Sequence, residues 1–326
     1  MSKKLSTKIY SAPLAGFSNK IMCDYFALGK ADIVYSEMYH VNEALYKKEE
    51  LLSKPDYPYI IQIFGKHSDP FEKAAQYFAE HCTGIDINAG CPIKKVIKAQ
   101  GGSFLLQDSQ KLANLIGRVK KSVNLPVSVK IRLGNSEVKI LEILNDVFSA
   151  DPDYVTVHLR TASMMFSGHA DYSLIPVIMD AYPHKKIIFN GDIDSPEKAE
   201  NLIKSFKPFG IMIGRYAYND PFVFSRIKRK FMDKTGNGEI PKMPDLWFES
   251  VPLQNIAILI GIYRKINNEK DMLLNFRKIT HQLLKGLPES HGIKNKINRT
   301  EDRLEIINIL QEYRKFMIRL MHSESC

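Results

Sequence analysis

The residues best suited to chemistry surround Cys91, in the stretch Asn88-Ala89-Gly90-Cys91-Pro92-Ile93-Lys94-Lys95-Val96. The thiol stands between a glycine and a proline at the exit of a candidate strand, with two lysines just beyond. A free thiol keeps its proton below a pKa of about 8.5, so an unperturbed Cys91 is a proton donor at neutral pH. We expect an acid or nucleophile presented to a pocket. The alternative is a structural cysteine half-buried in a turn.

Polar side chains recur at the carboxyl ends of successive candidate strands. Each has a structural explanation when taken alone, such as a satisfied core histidine or a solvated arginine. A lysine inside the apolar run 127–133 is harder to explain, because a buried lysine needs a partner charge or a ligand. Together these residues indicate a functional site, and they are Gln62, Asp86, Asn88, Lys130, Arg132, His158, Arg160, Asn190, Asp192 and Arg215.

Two glycines at the ends of the last two strands indicate which class of ligand the site binds. Gly191 and Gly214 allow backbone N–H groups to approach a ligand closely at the usual phosphate-binding place of parallel barrels. Arg215 adds a forked cation beside the second glycine. A phosphorylated cofactor across the strand ends is therefore expected. Flavin mononucleotide (FMN) fits, because its ring could be held by polar residues of earlier strands, namely Gln62, Lys130 and His158.

The elements that must position these residues alternate between strands and helices. Helical patterns lie between the strands, for example at 70–81, 109–122, 138–148 and 195–205, with Ser109 and Ser195 as expected N-caps. Eight such units predict a (β/α)8 TIM barrel, and no GxGxxG turn supports the alternative of a doubly wound open sheet. The expected strands are Lys8–Ala12, Ile33–Glu37, Tyr59–Phe64, Gly84–Asn88, Val127–Arg132, Tyr154–His158, Lys186–Asn190 and Gly210–Gly214.

The last third of the chain has a different pattern. A Gly- and Pro-containing break at 234–241 is followed by helical patterns at 253–266, 272–284 and 301–321, the last with Leu304 on its expected buried face. Residues 223–326 hold 19 Lys and Arg against 12 Asp and Glu. We expect a barrel domain over 1–233 and a basic C-terminal helical bundle over 241–326, and a polyanionic partner for the latter.

Composition excludes several other classes of protein. The chain has 326 residues, of which 44% are hydrophobic and 25% charged, as in ordinary globular proteins. No apolar run approaches a membrane span, and no apolar stretch for a secretory signal follows the N-terminus. Four scattered cysteines argue against a disulfide framework or structural zinc, and favour a reducing cytoplasm. No metal is expected.

Seven segments in order resemble the tRNA dihydrouridine synthase family, and together they are highly specific. The C-terminal helical region likewise looks like that family's RNA-binding domain. One departure is Leu159, which stands where the family usually has a glycine. The matching segments are Ser11–Gly16, Gln62–Gly65, Asn88–Pro92, Val129–Arg132, His158–Thr161, Asn190–Ile193 and Ile213–Arg215.

The resemblance implies FMN in the barrel, reduced by NADPH, and reduction of the C5–C6 double bond of a uridine in tRNA. It implies that Cys91 is the general acid, giving a proton to C5 while hydride reaches C6. Residues expected at the flavin are Pro13, Leu14, Ala15, Gln62, Lys130, His158, Asn190, Gly191, Asp192, Gly214 and Arg215. Residues expected at the substrate are Asn88, Lys130, Arg132, Lys94 and Lys95.

Two other classes of function remain open at this point. An FMN barrel oxidoreductase acting on a small molecule, such as a dihydroorotate-oxidising enzyme, explains the barrel residues but not the basic helices. A non-catalytic RNA-binding protein explains the helices but not Cys91. The tRNA position, the choice between NADPH and NADH, and the oligomeric state are not readable from the sequence, and a monomer is the default expectation.

Overall fold

The computed structural model describes residues 5–44, 54–67, 69–134, 138–165, 167–231, 249–266 and 270–323. Within these residues, eight parallel strands pair in the order β1-β8-β7-β6-β5-β4-β3-β2, and a bridge between Tyr10 and Ile33 joins β1 to β2. The sheet therefore closes into the expected (β/α)8 barrel. The strands are β1 Lys8–Ser11, β2 Val34–His40, β3 Tyr59–Phe64, β4 Gly84–Ala89, β5 Val127–Arg132, β6 Tyr154–His158, β7 Ile187–Asn190 and β8 Gly210–Ile213.

Helices follow the strands around the outside of the barrel. Ser195 is the N-cap of α8, as expected, since its hydroxyl accepts from the Lys198 N–H at 3.1 Å. The expected cap Ser109 is wrong: Asp108 accepts from the Lys111 N–H, and Ser109 is already helical. These helices are α1 Lys20–Leu28, α2 Val41–Ala44, α3 Phe71–Ala79, α4 Lys94–Lys98, α5 Ser109–Ser122, α6 Val138–Ser149, α7 Leu174–Ala181 and α8 Pro196–Phe206.

Side-chain alternation along the strands separates two regions of the core. In β5, Val127, Val129 and Ile131 pack outward against the helices, so Ser128 and Lys130 face the barrel interior. A smaller apolar cluster fills the inside of the barrel and contains Tyr10, Ala12, Ile33, Tyr35, Ile60, Ile188 and Met212. The polar interior residues lie beyond it, toward the carboxyl ends of the strands, and this is where the site forms.

The described chain after β8 consists of helices joined by short turns and loops. Helix α13 was not expected, because its sequence is polar and contains Gly292. The expected burial of Leu304 is wrong, since its side chain is 56% exposed while Ile306, Ile307 and Leu310 of the same helix are buried. These helices are α9 Tyr216–Asn219, α10 Val223–Arg229, α11 Val251–Lys265, α12 Lys270–Leu283, α13 Ser290–Arg299 and α14 Arg303–Ser323.

The C-terminal helices contact the barrel through polar bonds. The Asn255 amide donates to the Asn219 carbonyl at 2.9 Å, and the Gln282 amide donates to the Asn219 side chain at 2.7 Å. The Tyr25 hydroxyl donates to the Ile258 carbonyl at 3.3 Å. The expected break at 234–241 lies outside the described residues. None of the helices in the described part of the chain is long and apolar enough to cross a membrane.

Candidate active site at the carboxyl ends of the strands

The turn that carries Cys91 is fixed from two sides. On one side, the Asn88 side-chain oxygen accepts from the N–H groups of Gly90 at 3.1 Å and Cys91 at 2.9 Å. On the other, the Ser103 N–H donates to the Cys91 carbonyl at 3.0 Å. Gly102 lies so close that a Cβ there would be 2.6 Å from that carbonyl oxygen. The thiol is therefore held, only partly exposed, just beyond the end of β4.

The environment of the Cys91 thiol keeps it protonated. Burial raises its pKa, and the backbone of Ile93 and the charges of Arg132 and Lys130 offset only part of that increase. The neighbouring Lys94 and Lys95 are exposed on α4. A protonated thiol at neutral pH suits an acid rather than a thiolate nucleophile.

Lys130 lies in the barrel interior and is tied to the end of β7. Its Nζ donates to the Asn190 side-chain oxygen at 3.0 Å, and the Asn190 amide donates to the Met212 carbonyl at 2.8 Å. Burial, with the charge of Arg132, lowers the pKa of Lys130 to about 8. The bond to Asn190 occupies one of three N–H donors of Lys130, and the other two have no acceptor among the described residues and are available to a ligand.

Gln62 belongs to a group of buried polar side chains whose hydrogen bonds to one another were not expected from the sequence. Its amide nitrogen donates to Asp86 at 2.6 Å, and its oxygen accepts from the Asn88 amide at 2.7 Å. The Ser128 hydroxyl donates to the other oxygen of Asp86 at 2.6 Å. Burial raises the pKa of Asp86 to about 6. One N–H of Gln62 has no acceptor among the described residues and is available to a ligand ring.

The ends of β6 to β8 bring together an arginine-rich group around Asp192. One oxygen of Asp192 accepts from Arg160 and from Arg215, and the other accepts from the Ala170 N–H at 2.8 Å. Arg160 is buried, whereas the side chain of Arg215 is 63% exposed. Asp192 thus orients both guanidinium groups beside Gly191 and keeps one of them directed to solvent.

His158 is uncharged in this setting. Burial lowers its pKa, and the charges of Lys130, Arg132, Arg160 and Arg215 lower it further. A neutral imidazole offers one donor and one acceptor, so His158 can bind a polar ligand atom without adding another positive charge.

The first loop of the barrel supplies the remaining predicted flavin residues. Pro13 and Leu14 are half-buried and Ala15 is exposed. The Leu14 N–H donates to the Ser18 hydroxyl at 3.0 Å. A Cβ built at Gly214 would lie 3.9 Å from the Leu14 side chain, so the first loop and the end of β8 border the same space.

The residues of this mouth fit a phosphorylated flavin. Gly191 has a φ of +131°, and no acceptor in the described part of the chain receives its N–H or that of Arg215. The Nε atoms of Arg132 and Arg160 are buried without a partner among the same residues. The four cations that lower the pKa of His158 meet in this mouth, and Asp192 pairs with two of them, Arg160 and Arg215, so the mouth favours an anionic ligand. No three described His, Cys, Asp or Glu side chains are placed to hold a metal.

Three predicted substrate residues differ in their surroundings. Lys94 and Lys95 are exposed on α4, whereas Asn88 has no free hydrogen-bonding position. The Asn88 amide donates to Gln62 and to the Met38 sulfur at 3.4 Å, and its oxygen accepts two N–H groups. From the sequence, Asp86 and Arg160 were visible only as polar strand ends. The bond of Asp86 to Gln62 and that of Arg160 to Asp192 were not readable, because each partner is distant in sequence.

The chain is similar to known proteins of one family. The model of the family described as dihydrouridine synthase (Dus) matches residues 10–318. Among curated proteins, tRNA-dihydrouridine synthase B of Xanthomonas campestris pv. campestris is 32% identical over 324 residues, covering 95% of this chain and 93% of that protein. The protein of the same name from Xanthomonas axonopodis pv. citri is 30% identical over 312 residues, covering 91% and 90%.

Solved structures show the same barrel at low sequence identity. A 2-naphthoyl-CoA reductase complex gives a TM-score of 0.54 at 13% identity, covering 71% of this chain and 53% of that chain. Histamine dehydrogenase from Rhizobium sp. 4-9 gives a TM-score of 0.52 at 12% identity, covering 78% and 48%. These likenesses concern the fold alone. The family match spans both the barrel and the C-terminal helices and confirms the resemblance seen in the sequence, so the chain belongs to the dihydrouridine synthase family.

Proposed function

We propose that this protein reduces a uridine of tRNA to dihydrouridine in the cytoplasm, with bound FMN as the flavin and NADPH as its reductant. The observation that carries the proposal is the Cys91 thiol, protonated and partly exposed at the barrel mouth beside the Lys130 and Arg132 charges. Membership of the dihydrouridine synthase family and two relatives named as tRNA enzymes support the same reaction.

The flavin would lie across the strand ends. When bound and reduced, it supplies the hydride that reaches C6 of the uracil. The N–H of Gly191 and the guanidinium of Arg215 would hold its phosphate, with Asp192 orienting the arginine. Polar side chains deeper in the mouth would hold the ring and ribityl chain, and they are Gln62, Lys130, His158 and Asn190. The loop Pro13–Ala15 and Gly214 would border it.

Cys91 acts as the acid at the target base. A uracil that gains hydride at C6 carries negative charge over C5 and O4 until C5 is protonated. The Cys91 thiol holds a proton at neutral pH because burial raises its pKa, so it can supply that proton. The charges of Lys130 and Arg132 in the same mouth stabilise the negative charge on the base.

The tRNA would be held by basic residues outside the mouth. Extracting a stacked base costs a few kcal/mol, which backbone contacts must offset. The cysteine turn continues into α4, where Lys94, Lys95 and Lys98 are exposed. We propose that domain 241–326 makes more of the tRNA contacts than α4 does. The basic residues that would make them are Lys285, Lys294, Lys296 and Arg299. Partial burial lowers the pKa of Lys294, and the nearby charge of Lys285 lowers it further. Like charges are therefore close together on this surface, and a bound polyanion would neutralise them.

A monomer would suffice for this reaction, since one chain carries both the mouth and the basic surface. The barrel domain proposed over 1–233 would supply the flavin site and the proton donor.

The test is nucleoside mass spectrometry on unmodified tRNA incubated with the protein and NADPH, with Cys91→Ala beside it. We expect dihydrouridine from the wild type and almost none from Cys91→Ala, while NADPH oxidation by the bound flavin persists in both. Cys82→Ala is the matched control, because Cys82 is a free cysteine buried away from the mouth. No dihydrouridine from a yellow protein that oxidises NADPH would overturn the proposal in favour of a small-molecule reductase.

A further inference from the structure

Four buried side chains form a continuous hydrogen-bonded chain that ends at the turn of Cys91. We call Ser128, Asp86, Gln62 and Asn88 the amide relay. Ser128 donates to Asp86, Gln62 donates to Asp86, and Asn88 donates to Gln62, at 2.6, 2.6 and 2.7 Å. Asn88 then accepts from the N–H of Cys91 at 2.9 Å. All four relay side chains are buried, so water does not substitute for these bonds.

Asp86 sets the direction of every bond in the amide relay. An ionised carboxylate only accepts hydrogen bonds, so the NH2 group of Gln62 must face it and the oxygen of Gln62 must face Asn88. The NH2 group of Asn88 then faces Gln62, which leaves the Asn88 oxygen facing the turn. If Gln62 were inverted, its NH2 group would oppose that of Asn88, and the cysteine turn would lose its acceptor.

Asp86 is poorly explained as a stabilising residue. It lies in the barrel interior, and none of the described Lys and Arg side chains is within ion-pair distance of it, although the charge of Lys130 in the same interior offsets part of the rise in its pKa. A buried carboxylate without a paired cation costs free energy that a leucine would not. The presence of a carboxylate at this position is therefore better explained by what its hydrogen bonds orient.

We propose that Asp86 is a positioning residue for Cys91, acting through Gln62 and Asn88 to fix the turn that aims the thiol. This inference rests on the proposed function of Cys91 as the acid. It also gives Asn88 a role different from the expected contact with the base, because all four hydrogen-bonding positions of its side chain are occupied within the protein. The substrate would instead meet the free donors of Lys130 and Arg132.

The experiment compares Asp86→Leu with Asp86→Asn in the flavin-loaded protein. Leucine removes the acceptor and frees Gln62 to invert. Asparagine keeps the relay, since its oxygen accepts from Gln62 and its NH2 group donates to the Ser128 hydroxyl. Gln62→Glu is a second disrupting variant, because it keeps the side-chain length but sets a carboxylate against Asp86. Asp220→Asn is the control for altering a buried carboxylate elsewhere, where the partner is Arg226.

Two readouts are measured for each variant. The first is the rate at which iodoacetamide alkylates the Cys91 peptide, followed by mass spectrometry at fixed pH. The second is the single-turnover rate at which tRNA oxidises the reduced enzyme. For Asp86→Leu and Gln62→Glu we expect several-fold faster alkylation, because the released thiol is less buried, and single-turnover rates ~10- to 100-fold lower, because the acid is misplaced. Asp86→Asn restores both toward the wild-type values, and Asp220→Asn changes neither.

Unchanged alkylation and single-turnover rates in Asp86→Leu would overturn the inference, and so would failure of Asp86→Asn to restore them. The proposed function fails separately. If Cys91→Ala reduces uridine at the wild-type rate, Cys91 is not the acid, while the alkylation rates still decide whether Asp86 positions its turn.

Discussion

Replacing Gly191 by alanine should destabilise the fold at the proposed phosphate end of the site. Gly191 has a φ of +131°, a backbone conformation that L side chains rarely adopt. Its added Cβ would also lie 2.8 Å from the Ala170 Cβ and 3.1 Å from the His158 ring. Neither neighbour can shift easily to make space. The Ala170 N–H is hydrogen-bonded to Asp192, and His158 is the last residue of β6.

The magnitude follows from these two terms. A residue forced into a sparsely populated backbone region costs about 1 to 3 kcal/mol. Overpacking by one methyl group in a close-packed site costs about the same again. We therefore expect Gly191→Ala to lower the free energy of unfolding by about 2 to 6 kcal/mol, a large part of the ~5 to 15 kcal/mol available to a typical domain.

Gly214→Ala is the matched control on the neighbouring strand. There the added Cβ would lie 3.6 Å from the Ala12 Cβ and 3.9 Å from Leu14, which are ordinary contacts, and the backbone φ is not in the left-handed region. We expect almost no change in unfolding. If the phosphate approaches this backbone, however, the methyl group weakens FMN binding about tenfold, or ~1.4 kcal/mol.

The assay is urea unfolding of the flavin-free proteins, followed by titration of the folded ones with FMN by fluorescence. An unfolding free energy for Gly191→Ala within ~0.5 kcal/mol of wild type would refute the strain argument, since surface changes without a named cause fall in that range. Wild-type FMN affinity in Gly214→Ala would refute the placement of the phosphate beside that glycine.

Three further outcomes are expected. The pKa of Lys130 is lowered to about 8 in the folded protein, so between pH ~8 and ~10 the lysine is neutral when folded and protonated when unfolded. The unfolding free energy of the wild type should therefore rise with pH across this range and fall as pH falls through 8, relative to Lys130→Met in urea titrations. Replacing Lys94 and Lys95 by alanine should reduce the slope of log affinity for tRNA against log salt by about 1 to 2, whereas Lys121→Ala, at the opposite end of the barrel, should leave the slope unchanged. Asp192→Asn leaves the buried Arg160 without its carboxylate partner and should lower the free energy of unfolding in urea by about 3 to 5 kcal/mol. An unchanged free energy of unfolding would argue against the Arg160–Asp192 ion pair.

Seven of the eight strands could be predicted to within one residue because their patterns are local, whereas β2 ends at His40 and not at the expected Glu37. Val127–Arg132 and Tyr59–Phe64 were read with the bounds that the structure has, since β-branched runs ended by turn residues report their own conformation. The polar strand ends were also visible, because parallel strands that alternate with helices must place their carboxyl ends at one mouth.

The partners of those polar residues could not be read from the sequence. Asp86 meets Gln62 from 24 residues away, and Lys130 meets Asn190 from 60 residues away. Such contacts depend on the register between strands, which no local pattern encodes. The four bonds that the Asn88 side chain makes within the protein could not be read either, and its expected place at the substrate came from the family resemblance alone.

The C-terminal helices show the limit of hydrophobic periodicity. Leu304 falls in step with the buried face of α14, but it lies in the first turn, where the neighbouring helix does not cover it. Helix α13 is short and polar, with only Ser290 and Ile297 buried, so it gave too weak a pattern to be predicted.

The closure of the barrel has a consequence for how the protein is made. Bonds across the β1–β8 seam join residues about 200 positions apart, from Thr7 to the Pro208 carbonyl at 2.8 Å and from Ser18 to Tyr218 at 3.0 Å. A growing chain holds β1 unpaired with β8 until some 213 residues have left the ribosome. The space between Leu14 and Gly214 exists only after that seam forms. Any ligand of that space binds the closed ring alone and thereby favours the completed fold over every partly synthesised one.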